Sequence, residues 1–401
     1  ALTFGNITIN AAVTATLAGN ISVTGDWINL SGTLTPGTNT VSFTGTGTQT
    51  ITKAGATETF YGLTVNTIGP LTLASTTDVN ITNTLTMTAG NINLNGKTLQ
   101  LGVGALATLV RTAGIMYSNT GTFKRYVQSG TALSSTAAPL YGLFPVGSST
   151  DYRPVQINSS ASPTASGYIS VIHYDPPPPS YVVDVSYTDN EGAAIQRIST
   201  IVAKVSTSVA LGGTYSVSVT YSNLSSQGIL TDLKLETYTG AVMGSVGTTF
   251  ATGGSVGAPV GNRSGVSGAE LVNDFVIGTK DKSPTGTPIR QYYYSRKNGN
   301  WNDNTVGNGT WSYSSGGAGA SCNCIPVNDG YAVVSDGQTV TVNVASTVDY
   351  VDIGNTSTLD GTATMTINKD IRTIGSGKFS PTAGSWTITR DVFLVGTGNS
   401  S

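Results

Sequence analysis

The chain has 401 residues, of which 38% are hydrophobic, 10% are charged and 50 are glycines. Its 19 basic and 21 acidic residues give a net charge of -2, which leaves nucleic-acid binding without an electrostatic basis. So few charged residues disfavour long amphipathic helices, and no apolar run reaches the length of a membrane-spanning helix.

Residues 1–127 carry short strands in which two apolar side chains flank a polar one. The apolar residues that recur are Ile21, Val23, Leu30, Leu34, Val41, Phe43, Ile51, Leu63, Val65, Leu71, Leu73, Val79, Ile81, Leu85, Met87, Ile92, Leu94, Leu99 and Leu101. Antiparallel hairpins give the same alternation. However, the very short strands, the variable repeat length and the outward Thr, Asn and Ser favour a right-handed parallel β-solenoid. In that fold the outward side chains stack as ladders of like residues.

Residues 128–290 carry longer, cleanly alternating strands that contain tyrosine, such as GYISVIHYD and GTYSVSVTYS. This pattern predicts an antiparallel β-sandwich of immunoglobulin-like size. We interpret the run Pro176–Pro179 as a stiff surface loop. The oxygen-rich cluster of Asp184, Asp189 and Glu191 is a calcium candidate, with a solvated turn as the alternative. No other cofactor is expected.

Residues 291–401 return to the short apolar strands, and we expect a second β-solenoid segment there. Its apolar sets are Val340/Val342/Val344, Val351/Ile353, Met365/Ile367, Trp386/Ile388 and Val392/Leu394. Cys322 and Cys324, the only cysteines, lie in the loop expected to cap this segment. They predict one disulfide or two free thiols, with an intermolecular disulfide as a third option. A zinc site is excluded because no second Cys or His pair exists.

Three stretches together carry a resemblance to a protein family: GDWINLSGTLTPGTNTVSFTGTGTQTI, FPVGSSTDYRPVQI and NGNWNDNTVGNGTWSYSSGGAGASCNCIPVNDGYAVVSDGQTVTV. They resemble modules of the large repetitive cell-surface adhesins and gliding proteins of Bacteroidota, which are type IX secretion substrates. The resemblance implies a β-rich stalk on the cell surface, of the kind that serves attachment and biofilms. It implies no catalytic centre.

The sequence offers little for catalysis. A single histidine, His173, rules out a multi-histidine metal site and is expected to be structural. β-Solenoids also include polysaccharide lyases and glycosidases, which need grouped carboxylates. The acidic residues of the first solenoid segment are Asp26, Glu58 and Asp78, and those along the regular strand pattern of the second are Asp349, Asp352, Asp360, Asp370 and Asp391. We predict a non-enzymatic protein, with a carbohydrate-active β-helix enzyme as the alternative. A phage tail fibre is disfavoured because helical trimerisation segments are missing.

Both ends of the sequence lie inside the solenoid pattern, without the polar or helical cap that blocks stacking. The residues expected at the two exposed ends are Ala1, Leu2, Phe4, Ile7 and Ile9, and Val392 and Leu394. We predict that these ends stack head to tail, between copies of the chain or between tandem repeats of one longer chain. The resulting extracellular fibre would contact carbohydrates or solid surfaces, without nucleic acid and without a membrane span.

Overall fold

The structure, a computed structural model, describes residues 1–55, 57–175, 184–224, 230–240, 242–249, 252–255, 257–279, 292–313, 317, 319–327 and 330–394. The run Pro176–Pro179 lies outside the described residues. Within these ranges the chain is all β apart from short 3₁₀ turns, such as that at Leu230–Asp232. The architecture is a parallel solenoid, an antiparallel sandwich and a second parallel solenoid.

The first region is a right-handed parallel β-solenoid, so the prediction from the short apolar strands is confirmed. Leu2 pairs with Ile21 and Ile21 pairs with Val41, so one coil takes about 20 residues and rises about 4.8 Å. Its strands are β1 (Leu2–Phe4), β2 (Ile7–Ile9), β3 (Thr14–Thr16), β4 (Ile21–Val23), β5 (Trp27–Asn29), β6 (Thr33–Thr35), β7 (Thr40–Phe43), β8 (Gln49–Lys53), β9 (Thr57–Asn66), β10 (Leu71–Leu73), β11 (Asp78–Ala89), β12 (Ile92–Asn93), β13 (Thr98–Leu101), β14 (Thr108–Arg111), β15 (Met116–Tyr117) and β16 (Thr122–Val127).

The predicted apolar residues fill the narrow core of this solenoid, with one clear exception. Leu30 is 45% exposed because β5 ends at Asn29, and the inward residues of β5 are Trp27 and Asn29. The Trp27 indole and the Asn29 amide both donate hydrogen bonds to the buried Glu58 carboxylate, at 3.0 and 2.7 Å. A buried acid is therefore satisfied inside the tube, and the sequence pattern did not reveal it.

Like residues do stack on the outside of the coils. Parallel pairing places Ser22 beside Ser42, and it places Thr14 beside Thr33 on another face. Side-chain oxygens also bond across coils: Asp26 accepts a hydrogen bond from the Thr50 backbone N–H at 2.8 Å. These contacts add to the backbone ladders, so each coil is held to its neighbours on every side.

The second region is an antiparallel β-sandwich. Its two sheets have the strand orders β20-β23-β30-β22-β21, with β25 and β26 alongside, and β17-β19-β24-β29-β27, with β28 alongside. The strands of this region are β17 (Leu143–Phe144), β18 (Val146–Gly147), β19 (Val155–Ala161), β20 (Gly167–Tyr174), β21 (Asp184–Thr188), β22 (Ala194–Ile198), β23 (Val202–Thr207), β24 (Thr214–Thr220), β25 (Leu233–Tyr238), β26 (Met243–Gly244), β27 (Thr248–Thr249), β28 (Gly253–Ser255), β29 (Ala258–Ser267) and β30 (Asn273–Thr279).

The sandwich closes the C-terminal end of the first solenoid. Strand β16 pairs in parallel with β13 on one side and antiparallel with β20 on the other, so one sheet runs through both regions. Strand β18 also extends a parallel face by pairing with β15. At this junction the fully buried Arg125 guanidinium donates hydrogen bonds to the carbonyl oxygens of Leu140, Leu143 and Ala107. One continuous core results.

The third region is a second parallel solenoid with its own core. Val351 pairs with Ile371, and Ile371 pairs with Val392, so the coil again takes about 20 residues. Val344 is 37% exposed beyond the end of its strand, contrary to the inward position expected for it. The strands are β31 (Tyr292–Ser295), β32 (Gly299–Asn300), β33 (Trp311–Ser312), β34 (Tyr331–Val334), β35 (Thr339–Val342), β36 (Ser346–Val348), β37 (Tyr350–Ile353), β38 (Thr358–Gly361), β39 (Met365–Ile367), β40 (Ile371–Thr373), β41 (Lys378–Pro381), β42 (Trp386–Ile388) and β43 (Val392–Leu394).

A compact aromatic cap closes the N-terminal end of this second solenoid. Strand β33 pairs antiparallel with β31 and ends the sheet there. Trp301 and Trp311 are fully buried, with ring centroids 5.0 Å apart, and the Trp311 indole donates to the Trp301 carbonyl at 2.7 Å. Cys322 and Cys324 form a disulfide in this cap, with Cα atoms 5.1 Å apart, and both pack against the core.

Candidate assembly site: the two outer coils

The first coil leaves an apolar hollow at the N-terminal end of the first solenoid. Ala1, Leu2, Phe4 and Ile7 all line it, within a volume of about 1040 Å³. Leu2 is 70% exposed and Phe4 is 39% exposed, although both belong to the inward column of their face. Ile9, also expected at this end, is 3% exposed and belongs to the covered core. We call this surface the N-terminal hollow.

The last coil exposes a corresponding edge at the C-terminal end of the second solenoid. In the described part of the chain, β41, β42 and β43 have a strand paired on one side only. Val392 is 48% exposed and Leu394 is 53% exposed, and they continue the inward columns of Ile371 and Thr373, respectively. We call this surface the C-terminal edge. Trp386 and Ile388 also belong to it, because β42 is its second strand.

The two outer coils have matching cross-sections. Each has three strands per turn: β1, β2 and β3 at one end, and β41, β42 and β43 at the other. Their lengths agree, because Leu2 pairs with Ile21 at one end and Ile371 pairs with Val392 at the other. Parallel edges present unpaired N–H and C=O groups that readily accept another strand. The sequence pattern located the exposed apolar residues, but the three-strand match needed the structure.

The calcium candidate lies only partly within the described residues. The Oδ1 atom of Asp189 accepts hydrogen bonds from the backbone N–H groups of Glu191 and Ala193, at 2.9 and 2.7 Å. The Glu191 carboxylate is paired with the Lys234 ammonium at 2.7 Å. The side chain of Asp184 lies outside the described residues. In the ranges that the structure covers, no three His, Cys, Asp or Glu side chains are grouped as metal ligands.

His173 lies on β20 and is 3% exposed. Burial, together with the nearby Arg153 guanidinium, lowers the pKa of its imidazole to about 3, so the ring is neutral. Its Nε2 atom has no hydrogen-bond partner among the described residues. Arg153 itself is buried and pairs with Asp175 at 2.5 Å. This setting supports the structural interpretation of His173.

Three of the acidic residues of the second solenoid, Asp349, Asp352 and Asp370, are bonded to other side chains, whereas Oδ1 of Asp360 is buried without a hydrogen-bond partner among the described residues. The Arg372 guanidinium pairs with both oxygens of Asp352, and Arg390 pairs with both oxygens of Asp370. The hydrogen bonds from Arg390 lower the pKa of Asp370. A glycosidase combines such an ionised carboxylate with a second acid whose pKa is raised. Asp349 accepts a hydrogen bond from Asn368 at 3.0 Å.

No helix in the described ranges combines the length and the apolar character needed to cross a membrane. Comparison of the chain with models of protein families, with curated proteins and with solved structures finds no match. The resemblance to the surface adhesins of Bacteroidota therefore stays a prediction from the sequence motifs.

Proposed function

We propose that the chain is a non-enzymatic unit of an extracellular fibre, in which the C-terminal edge of one unit stacks on the N-terminal hollow of the next. One observation carries this proposal. In the described part of the chain, the sandwich covers the inner end of the first solenoid and the tryptophan cap covers part of the inner end of the second, whereas no strand is paired beyond either outer coil. The occupant that fits both bare ends is another copy of the same coil.

The physical gain comes from two sources. Stacking removes Leu2, Phe4, Val392 and Leu394 from water, and complete burial of such a side chain contributes about 1.5–3 kcal/mol. The unpaired strand edges also gain backbone hydrogen bonds along three faces. A head-to-tail contact that does not close into a ring produces a filament.

A bacterial surface location and an adhesive role follow from the resemblance of the motifs, and they belong to the same proposal. The surface of such a fibre is dominated by hydroxyl and amide groups, with few charges. Stacked backbone ladders would give the fibre its stiffness, and the outward side chains would meet carbohydrates or solid surfaces. The arginine-paired carboxylates of the second solenoid favour binding over glycan cleavage.

The proposal is tested with two end variants, Leu2→Asp and Leu394→Asp. Both positions are more than half exposed, so the charge leaves the fold of a single unit intact. We expect the unmodified chain to form filaments in negative-stain micrographs and larger species in light scattering. Each variant alone should be monomeric. An equimolar mixture should give dimers, because one intact edge and one intact hollow remain.

The control is Ile68→Asp, which places the same charge at an 81% exposed position on the side of the first solenoid. This variant should assemble like the unmodified chain. Monomers from the unmodified chain at high concentration, or dimers from either end variant alone, would refute head-to-tail stacking. The mass of the native polypeptide then separates the two forms of the fibre: about 41 kDa for separate units, and a multiple of it for tandem repeats.

A further inference from the structure

A lysine, an asparagine and a glutamate meet inside the first solenoid. Asn29 on β5 and Lys53 on β8 are register partners on adjacent parallel strands, so the two strands lie about 4.8 Å apart at this point. The carboxylate of Glu58, on β9, contacts both side chains. Its Oε2 atom accepts a hydrogen bond from Asn29 Nδ2 at 2.7 Å, and its Oε1 atom lies 3.9 Å from Lys53 Nζ. We call these three residues the amide triad.

The amide triad is shielded from water. Asn29 is 0% exposed, Glu58 is 1% exposed, and the Lys53 side chain is 13% exposed. The Trp27 indole, which donates to Glu58 Oε2 at 3.0 Å, is itself buried against the ring of Phe60. Lysine and glutamate are rarely buried together without a specific role. Exclusion of water strengthens every electrostatic interaction in such a site and protects reactive intermediates from hydrolysis.

The backbone of Gly32 orients both reacting groups. Its N–H donates to Asn29 Oδ1 at 2.7 Å, and its carbonyl oxygen accepts a hydrogen bond from Lys53 Nζ at 2.6 Å. A donor at Oδ1 polarises the amide carbonyl and stabilises the negative charge that develops there when a nucleophile adds to Cγ. A single peptide unit therefore holds the lysine nitrogen beside the amide that it would attack.

An ion pair alone would need only Lys53 and Glu58. The triad also places the amide nitrogen of Asn29 on the same carboxylate and a donor on its amide oxygen. These are the parts of an acyl transfer: an amine nucleophile, a polarised carbonyl, and an acid–base group that touches the leaving nitrogen. We propose that the side chains of Lys53 and Asn29 become joined by an amide bond after folding, with Glu58 as the catalytic acid–base residue.

The reaction balances without a cofactor or an oxidant. The Lys53 ammonium gives a proton to the Glu58 carboxylate, and its nitrogen then adds to Asn29 Cγ. The new Nζ–Cγ bond forms, the Cγ–Nδ2 bond breaks, and the attacking nitrogen loses a second proton. Glu58 passes both protons to the departing Nδ2, which leaves as ammonium. Glu58 ends as the carboxylate from which it began, and the chain loses one molecule of ammonia.

The amide bond would tie two successive coils of the first solenoid together. It would add a covalent link to the backbone hydrogen bonds between β5 and β8, in the direction in which the coils stack. This inference goes beyond the proposed function and does not rest on it, because the reaction takes place within one chain whether or not a fibre forms.

The test is mass spectrometry of the full chain after reduction of its disulfide. We expect a mass about 17 Da below the value calculated from the sequence, which corresponds to one lost ammonia. Lys53 and Lys97 are the first two basic residues, so trypsin should release residues 1–97 as one peptide, because an acylated lysine is not cleaved. Chymotryptic cleavage after Phe43 should leave two fragments joined through Asn29 and Lys53. A succinimide at an Asn–Gly site loses the same mass but joins no fragments.

Two variants and one control locate the chemistry. Lys53→Arg keeps a cation and its hydrogen bonds but removes the nucleophile, and Glu58→Gln keeps the shape of the acid–base group but cannot accept the proton. Both should have the full sequence mass and should be cleaved after residue 53. Lys97→Arg changes another lysine of the same solenoid and should keep the lower mass. An unmodified chain that has the full sequence mass, or that trypsin cleaves after Lys53, would overturn the cross-link. A cross-link that still forms in Glu58→Gln would overturn the role of Glu58.

Discussion

The two solenoids have the same coil architecture. They differ in how their inner ends are closed and in the side chains on their outer faces. Both use three short strands and about 20 residues per turn. The first continues its sheet into an antiparallel sandwich through β16 and β20. The second is closed by two tryptophans and a disulfide. The outer faces of the first show hydroxyl ladders, whereas a face of the second shows tyrosines and arginine–aspartate pairs.

This difference shows that the coil repeat determines the inward residues of the solenoid. The closure of its ends and the residues on its surface can vary independently. Inward positions must be apolar in every turn, because a narrow tube has no other way to bury surface. Closing the end of a solenoid is a separate requirement, because only the terminal coil has unpaired backbone N–H and C=O groups that must be covered. Two unrelated closures therefore serve the same purpose in one chain.

The largest effect is expected from removing the tryptophan cap. Trp311→Ala deletes a fully buried indole and its hydrogen bond to Trp301, which should lower the free energy of unfolding by about 3–5 kcal/mol. Because the two cores are separate clusters, only the second solenoid should melt earlier. Differential scanning calorimetry measures this as a shift of one of two transitions.

The reciprocal variant is Phe60→Ala. Phe60 is fully buried in the first solenoid and contacts Trp27 at 5.3 Å between ring centroids. Phe60→Ala should lower the free energy of unfolding of the first solenoid by a similar amount, so the other calorimetric transition should shift. A single transition that moves in both variants would show that the two solenoids unfold as one unit.

A medium effect on stability is expected from the titration of His173 on mild acidification. It concerns the first solenoid and the sandwich, which share one core. The pKa of His173 is near 6.5 in the unfolded chain and is lowered to about 3 by burial in the folded chain. Between these values the unfolded chain binds more protons, so stability falls as the pH falls. For His173 alone the loss at pH 5.0 is about 2 kcal/mol relative to neutral pH, while the buried Glu236 of the same sandwich, whose pKa burial raises to about 7, acts in the opposite direction.

His173 is the only histidine, so the second solenoid lacks this response. Chemical denaturation at pH 5.0 and 7.5 measures the pH dependence of the first transition in the unmodified chain and in His173→Gln. The two pH dependences should differ by about 2 kcal/mol, which is the contribution of His173, and the second transition should be the same in both chains. If that variant keeps the full pH dependence, other groups are responsible.

The smallest effect is expected from the charges on the outside of the second solenoid. Arg372 is about half exposed and pairs with Asp352, so Arg372→Gln should cost no more than about 1 kcal/mol. Salt at 1 M should abolish this cost, because exposed ion pairs are screened. Ser42→Ala, on the hydroxyl ladder of the first solenoid, is the control and should show no salt dependence in its own transition. If Arg372→Gln loses the same stability at low and high salt, the contribution of Arg372 comes from packing and not from its charge.

The sequence by itself determined the repeating unit. Pairs such as Val41 and Phe43 mark inward positions because side chains alternate along a strand, and a narrow tube needs two apolar residues per strand. The same reasoning placed apolar residues at Leu2 and Leu394, in the two outer coils. It misplaced Leu30, because alternation does not reveal the residue at which a strand ends.

Only the tertiary structure decided how the inner ends of the solenoids are covered and which side chains of different coils meet. The stack of Tyr292, Tyr331 and Tyr350 joins residues that are far apart in the chain, and the partners of the buried Glu58 lie 31 and 29 residues before it. Such groupings depend on register between coils. The register between two coils depends on the summed lengths of all the turns between them. A local sequence pattern does not contain this information.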